Sequence, residues 1–108
     1  MTEHPDIVVI GSGPAGSSTA VFLAQLRPDL VRNAVMLERG THPRTKGCGG
    51  GLTGRTAPLL KKMGLSANPT GAVEACQVRL SHGQRVTRLV LADPIPVARR
   101  WELDQALA

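Results

Sequence analysis

The first forty residues alternate short apolar runs with a longer run of small and apolar residues. DIVVIG (6–11) is a β-branched run bounded by proline and glycine, and it predicts a strand buried on both faces. PAGSSTAVFLAQL (14–26) predicts a helix with a proline in its first turn, and NAVMLE (33–38) predicts a second buried strand. Together they have the length of a right-handed βαβ unit, which predicts an α/β fold of Rossmann-like type.

The pattern changes after the second strand. Residues 39–54 are irregular and rich in glycine, and residues 54–65 then predict one amphipathic helix with Leu59, Leu60 and Met63 on its apolar side. Apolar and polar residues alternate through 75–83 and 84–92, which predicts a β-hairpin.

Within that hairpin we expect Val78 and Leu80 to share a face with Val86, Leu89 and Leu91, and we expect Cys76 to be a core residue. Arg79, Arg85 and Arg88 would form the solvated face. Residues 92–97 predict an extended proline-stiffened connector, and residues 99–108 predict a final helix.

Composition narrows the possible functions. The chain has 108 residues, one Phe, one Trp and no Tyr, which argues against modules that stack nucleic-acid bases on aromatic side chains. Two cysteines without CxxC or histidine spacing predict neither a zinc site nor a disulfide framework. With no signal-like or membrane-spanning segment, we expect a cytoplasmic protein.

Charge is concentrated in the middle of the chain. Residues 39–100 carry eleven Lys and Arg against two acids, a net charge of +9. Such a segment suits nucleic acid, anionic lipid or a phosphate-rich cofactor, or it is an ordinary solvated surface. We expect no nucleic-acid partner.

The clearest motif is GSGPAG (11–16), which ends the first strand and opens the first helix. Gly11 would permit the tight turn, Gly13 would let a pyrophosphate approach bare backbone, and Gly16 would let helix and strand pack closely. The start of the helix would add free N–H groups and partial positive charge for phosphates. The motif therefore predicts a dinucleotide site formed by Gly11, Ser12, Gly13, Pro14, Ala15 and Gly16.

Glu38 ends the second predicted strand, where a carboxylate can accept hydrogen bonds from both ribose hydroxyls of an adenosine. The same charge would repel the 2′-phosphate of NADP. The competing interpretation is a strand-end acid paired with Arg39. The glycine motif and Glu38 alone leave FAD and NAD equally open.

Three parts of the sequence resemble, in this order, the N-terminal third of FAD-dependent oxidoreductases of the geranylgeranyl reductase family. The first part is DIVVIGSGPAGSSTAVFLAQ followed by VMLERG, the second is PRTKGCGGGLTG, and the third is RRWELD. That family belongs to the larger group of aromatic hydroxylases and flavin-dependent halogenases. Its glycine loop, K-x-C-G-G-G-L, matches Lys46, Cys48 and the residues 49–52. Its R-x-x-F-D helix start matches Arg100 and Asp104, with leucine in place of the phenylalanine.

The resemblance implies FAD as the cofactor and assigns further residues to it. Arg39 and Arg100 would lie near its adenosine and phosphate end, while the loop from Arg44 to Gly51, which contains Lys46, Cys48, Gly49 and Gly50, would run beside the flavin. Cys48 would be a pocket wall, a nucleophile or a small buried residue, and we favour the pocket wall. His4, His42 and His82 are expected at the surface or in turns, and no residue is assigned to catalysis or to a metal.

The resemblance also implies an activity. NAD(P)H would reduce the flavin, and the flavin would saturate an isoprenoid double bond, with peripheral membrane association for a lipid substrate. The alternatives are a flavin-dependent monooxygenase or halogenase and an NAD-binding dehydrogenase half-domain. Residues 1–108 would then be a truncated FAD-binding portion without its substrate domain, inactive alone.

Overall fold

A computed structural model describes residues 4–66 and 71–107. Contacts divide the chain into two compact units, which we describe separately. The first unit comprises Met1–Gly47 and Arg100–Ala108, and the second comprises Cys48–Arg99. In chain order, the elements are β1 (Ile7–Ile10), α1 (Pro14–Leu26), α2 (Pro28–Val31), β2 (Ala34–Leu37), α3 (Thr56–Lys62), β3 (Val73–His82), β4 (Arg85–Val97) and α4 (Arg100–Leu107).

The first unit is a βαβ arrangement with α4 against α1. β1 and β2 pair in parallel, with Ile7 opposite Ala34 and Ile10 opposite Leu37, which confirms the predicted crossover. α1 begins and ends at the predicted residues. Pro28 starts the short helix α2, which is suited to it because a proline at the first helical position has no N–H to leave unpaired.

The strands of the first unit are not buried on both faces, so that prediction is wrong for this chain. Val8 is 47% exposed and Ile10 is 85% exposed, whereas Ile7 and Val9 on the alternate face are half-buried. The difference arises because α1 covers the face of β1 that carries Val9, whose Cγ1 lies against Gly16. Among the described residues of this unit, Leu103 and Leu107 of α4 are the buried apolar side chains.

The second unit contains the predicted hairpin in longer form. β3 and β4 are antiparallel, and β4 continues through residues 92–97, where a proline-stiffened connector was expected. A register irregularity between Ala75 and Gln77 lets this segment pair again with the start of β3. Cys76 lies at that irregularity and is exposed, so its expected place in the core is wrong.

The register also corrects one face of the hairpin. Val78 lies opposite Leu89, as expected, but Val86 lies opposite Ser81. Since adjacent residues of a strand point to opposite faces, Val86 shares the face of Arg79 and Arg88 instead.

The glycine-rich segment of the second unit pairs with the end of β4. Ala98 N–H donates to the Gly50 carbonyl at 2.9 Å, and Leu52 N–H donates to the Pro96 carbonyl at 2.8 Å. Among the described residues of this unit, the buried apolar side chains are Leu52, Leu60, Met63 and Ala98. The predicted helix over 54–65 is shorter, and its Leu59 is 48% exposed instead of lying on the buried side.

Candidate functional site

The turn between β1 and α1 has the backbone geometry that the glycine motif predicts. Gly11 has φ +93°, a conformation that side chains disfavour, and its N–H donates to the Leu37 carbonyl at 2.7 Å. Gly13 is the extended N-cap of α1, and Pro14 is the first helical residue. The first N–H groups of a helix have no partner within it, so those of Ala15 and Gly16 are available at this end.

Gly16 has the packing role that the sequence assigns to it. A Cβ at this position would overlap the carbonyl oxygen of Gly11 and would lie 3.3 Å from Cγ1 of Val9. The helix can therefore approach the strand this closely only because residue 16 has no side chain.

An open cavity of about 420 Å³ lies at the start of α1, within the first unit. Its charged lining is one carboxylate, Glu38, and four cations, which are Arg39, Arg44, Lys46 and Arg100. The remaining lining residues are Ile10, Gly11, Gly13, Pro14, Ala15, Gly16 and Leu37. A net positive cavity at a helix N-terminus favours an anionic ligand.

Two guanidinium groups meet over Gly13. A Cβ at residue 13 would lie 3.4 Å from an Nη2 atom of Arg100 and 3.4 Å from an Nη2 atom of Arg44. Arg100 Nε donates to Asp104 Oδ1 at 2.6 Å, and Arg44 Nε lies 3.8 Å from Asp104 Oδ2. Asp104 is fully buried, so the structure places a carboxylate behind a pair of cations that face bare backbone. This arrangement fits a diphosphate, which guanidinium groups bind with paired hydrogen bonds.

Glu38 accepts four hydrogen bonds from the protein. Oε2 accepts from the backbone N–H of Ser12 at 2.8 Å and from the Ser12 hydroxyl at 2.9 Å. Oε1 accepts from the backbone N–H of Gly40 at 2.8 Å and from Arg44 Nη1 at 3.2 Å. Its cation partner is thus Arg44, not the neighbouring Arg39. Four bonds fill the acceptor sites of an ionised carboxylate.

These donors stabilise the ionised form of Glu38. The backbone N–H groups of Ser12 and Gly40, then the Ser12 hydroxyl and the charge of Arg44, lower the pKa of Glu38 to about 2. The carboxylate is therefore charged at neutral and mildly acidic pH.

Ser12 and His42 extend this network beneath the turn. Ser12 is buried, and its hydroxyl lies 2.7 Å from Nε2 of His42. Because that hydroxyl donates to Glu38, it must accept from His42, which assigns the proton to Nε2. His42 is half-buried and lies at a bend of the chain.

The structure brings most of the predicted site residues together. Those at the cavity are Gly11, Gly13, Pro14, Ala15, Gly16, Glu38, Arg39, Lys46 and Arg100. Ser12 acts through Glu38 rather than lining the cavity. Cys48, Gly49 and Gly50 belong to the second unit, where Cys48 is exposed and its Sγ accepts from the Gly50 N–H at 3.4 Å. Their place beside a flavin stays a prediction.

Sequence reasoning gave no site role to His42 or Asp104, and it placed Arg44 in the loop beside the flavin instead of over Gly13. Asp104 carried a signal, since it is the last residue of the R-x-x-L-D pattern four positions after Arg100, the spacing of neighbours on one helix face. The sequence offers none for His42.

Residues 4–66 and 71–107 lack two other kinds of feature. None of the helices there has both the length and the hydropathy that crossing a bilayer requires. In the same ranges, His, Cys, Asp and Glu side chains do not gather in threes that could hold a metal ion.

Known proteins are similar to this chain over most of its length. The profile of a family described as an FAD binding domain matches residues 4–99. Menaquinone reductases from Mycolicibacterium smegmatis and Mycobacterium tuberculosis are 37% and 42% identical over 62% and 58% of this chain. The flavin-dependent brominase Bmp2 is similar in structure, with a TM-score of 0.69 and 26% identity over 96% of this chain.

The chain is short beside these proteins. It covers 15% and 14% of the two reductases and 26% of the brominase. The matches therefore concern one segment of much longer enzymes.

Proposed function

The chain belongs to the family of FAD binding domains, and we propose that it is the N-terminal portion of such a domain, which holds the ADP half of FAD in a flavin-dependent oxidoreductase. The observation that carries this proposal is the pair of guanidinium groups over Gly13, at the N-terminus of α1. A pyrophosphate is bound by hydrogen-bond donors and positive charge, and this point of the structure offers bare backbone, helix N–H groups and two cations.

Each part of the cavity has a role in this proposal. Gly13 lets the pyrophosphate approach the backbone, while Arg44 and Arg100 neutralise its charge. Arg39 and Lys46 add positive charge at the cavity wall. FAD supplies the electron-transfer chemistry when bound, and the residues of this chain bind and orient it.

The ribose role of Glu38 requires an exchange of donors, because its acceptor sites are filled. The backbone N–H groups of Ser12 and Gly40 are fixed by the chain, whereas the Arg44 guanidinium and the Ser12 hydroxyl can turn away. We propose that the two ribose hydroxyls take the places of these two donors.

For the complete enzyme we propose reduction of an isoprenoid double bond, with NAD(P)H as electron donor. Support comes from the resemblance of the motif KGCGGGL (46–52) and from similarity to menaquinone reductases. The competing proposal is a flavin-dependent monooxygenase or halogenase, which the similarity to a brominase supports equally well.

The test of the cofactor proposal is a titration of the chain with FAD, followed by flavin fluorescence and by thermal unfolding. Riboflavin is the control ligand because it has the isoalloxazine ring without the ADP half. We expect FAD and ADP to bind and to raise the melting temperature, and riboflavin to do neither. Binding of riboflavin as tight as that of FAD, or no response to saturating FAD, would refute the proposal.

The two activities are separated by their second substrates. A protein that contains this segment, loaded with FAD, should oxidise NAD(P)H anaerobically in the presence of a polyprenyl substrate if it is a reductase. Oxygen- and bromide-dependent turnover without anaerobic reduction would instead support the halogenase.

A further inference from the structure

We propose that Asp104 is a positioning residue, a buried carboxylate that holds the Arg44 and Arg100 guanidinium groups over Gly13 so that they bind a diphosphate together. This inference rests on the proposed function and deepens it. Asp104 does not line the cavity, so its effect on a ligand would pass through the two arginines.

The burial of Asp104 is the first support. Its side chain has no solvent exposure, and an isolated buried carboxylate would be strongly disfavoured. Arg100 lies four residues earlier on α4 and makes a short bond to Oδ1, which compensates part of that cost. The pairing also fixes the direction in which the Arg100 side chain leaves the helix.

The second oxygen of Asp104 points to a second partner. Asp104 Oδ2 and Arg44 Nε are both buried, and neither has a hydrogen-bond partner among the described residues. They lie 3.8 Å apart, so charge attraction already links them without a hydrogen bond. A small movement of Arg44 would join them by a charge-assisted bond.

The two cations need such an anchor. Both Nη2 atoms lie 3.4 Å from the same point above Gly13, and like charges at such proximity repel. The carboxylate of Asp104 offsets this repulsion from behind the pair. If a ribose displaces Arg44 from Glu38, Asp104 stays as the carboxylate partner of Arg44.

The first experiment measures ADP binding to the 108-residue chain by calorimetry, for the natural sequence, Asp104→Asn and Asp29→Asn. Asp29 is the matched control, because it is an aspartate paired with an arginine in an exposed position and outside the cavity. We expect Asp104→Asn to weaken ADP binding about tenfold or more, the loss expected for one charge-assisted interaction. Asp29→Asn should stay within twofold of the natural chain. Equal affinities for both variants would overturn the inference.

A double-mutant cycle separates positioning from a general loss of structure. Arg44→Met is measured in the natural chain and in Asp104→Asn. If Asp104 acts through Arg44, removing Arg44 should cost several-fold less affinity once Asp104 is gone. Independent effects that simply multiply would overturn the inference.

A second variant keeps the test decisive if Asp104→Asn does not fold. Arg100→Lys keeps the charge, but an ammonium group cannot bond the carboxylate and also present a second nitrogen over Gly13. We expect ADP affinity to fall about fivefold or more, since the group would lose a bidentate geometry. Undiminished affinity would show that charge alone suffices and would overturn positioning. If the natural chain binds neither ADP nor FAD, the proposed function itself fails. If the natural chain binds ADP and the variants bind it equally well, only the positioning role of Asp104 fails.

Discussion

Replacing Gly16 with alanine tests the close approach of α1 to β1, on which the cavity depends. Alanine is a better helix former than glycine, by about 1 kcal/mol, so propensity alone predicts a more stable chain. The structure predicts the opposite. The added Cβ would overlap the Gly11 carbonyl oxygen and would lie 3.0 Å from the carbonyl carbon.

The magnitude follows from what must move. The obstructing atoms belong to the backbone of the glycine turn, which cannot rotate away as a flexible side chain would. Overpacking of this kind costs about 3 kcal/mol at the upper end of the usual range. After the gain in helix propensity, a net loss of about 2 kcal/mol is left. For a chain of this size that corresponds to a melting temperature lower by about 10 °C.

Thermal unfolding followed by circular dichroism measures the loss of stability, and the same measurement with ADP shows the effect on ligand binding. Gly47→Ala is the matched control, because a Cβ at residue 47 would meet no described atom within 4 Å. We expect the control to change the melting temperature little and Gly16→Ala to lower it, with weaker ADP binding as the helix N-terminus moves. A Gly16→Ala chain as stable as the control, with unchanged ADP affinity, would refute the reasoning.

Two further predictions concern Glu38 and Gly50. Because the folded pKa of Glu38 is lowered to about 2, its stabilising contribution should be full above its ordinary pKa and should disappear as pH falls toward 2. The melting-temperature difference between the natural chain and Glu38→Gln should therefore be constant from neutral pH to about pH 5 and shrink below it; a difference that grows with acid would contradict this. Gly50→Ala should loosen the second unit, seen as faster amide exchange in the hairpin, because its Cβ would overlap the Ala98 carbonyl and φ is +73°. Gly49→Ala, where no described atom lies within 4 Å, should leave the exchange rates unchanged, and equal effects of the two variants would contradict the assignment.

Local signals were enough to predict the order of elements in this chain apart from the short helix α2. The βαβ unit and the bounds of α1 follow from apolar runs, Pro14 and the glycine motif, all of which act within a few residues. The hairpin follows from alternation and from a turn at Gly83, where φ is +57°. Each of these features depends only on residues that are close together in the sequence, so the sequence pattern is enough to predict it.

What the pattern could not predict depends on partners distant in sequence. The run that ends in Ile10 is typical of a fully buried strand, yet burial requires elements on both faces, and one face of β1 is open here. The continuation of β4 through Pro94 and Pro96 needed the irregular register near Cys76, which alternation does not reveal. Likewise, the contact of Arg44 with Glu38 and Asp104 joins three separate segments.

The two glycine-rich segments lack side chains for different reasons, and composition alone does not reveal which reason applies to which segment. At Gly13 a side chain would meet the ends of two arginines, which are positively charged side chains and not backbone, so the space is suited to an anionic ligand. At Gly50 a side chain would meet the Ala98 carbonyl, which is fixed backbone already bonded into the chain, so that space is closed by the protein itself. Glycine therefore leaves space for a ligand at residue 13, whereas at residue 50 it lets two backbone segments of the same chain approach closely. The discriminating feature is what the missing Cβ would touch, and it makes Gly13 the stronger candidate for direct contact with the cofactor.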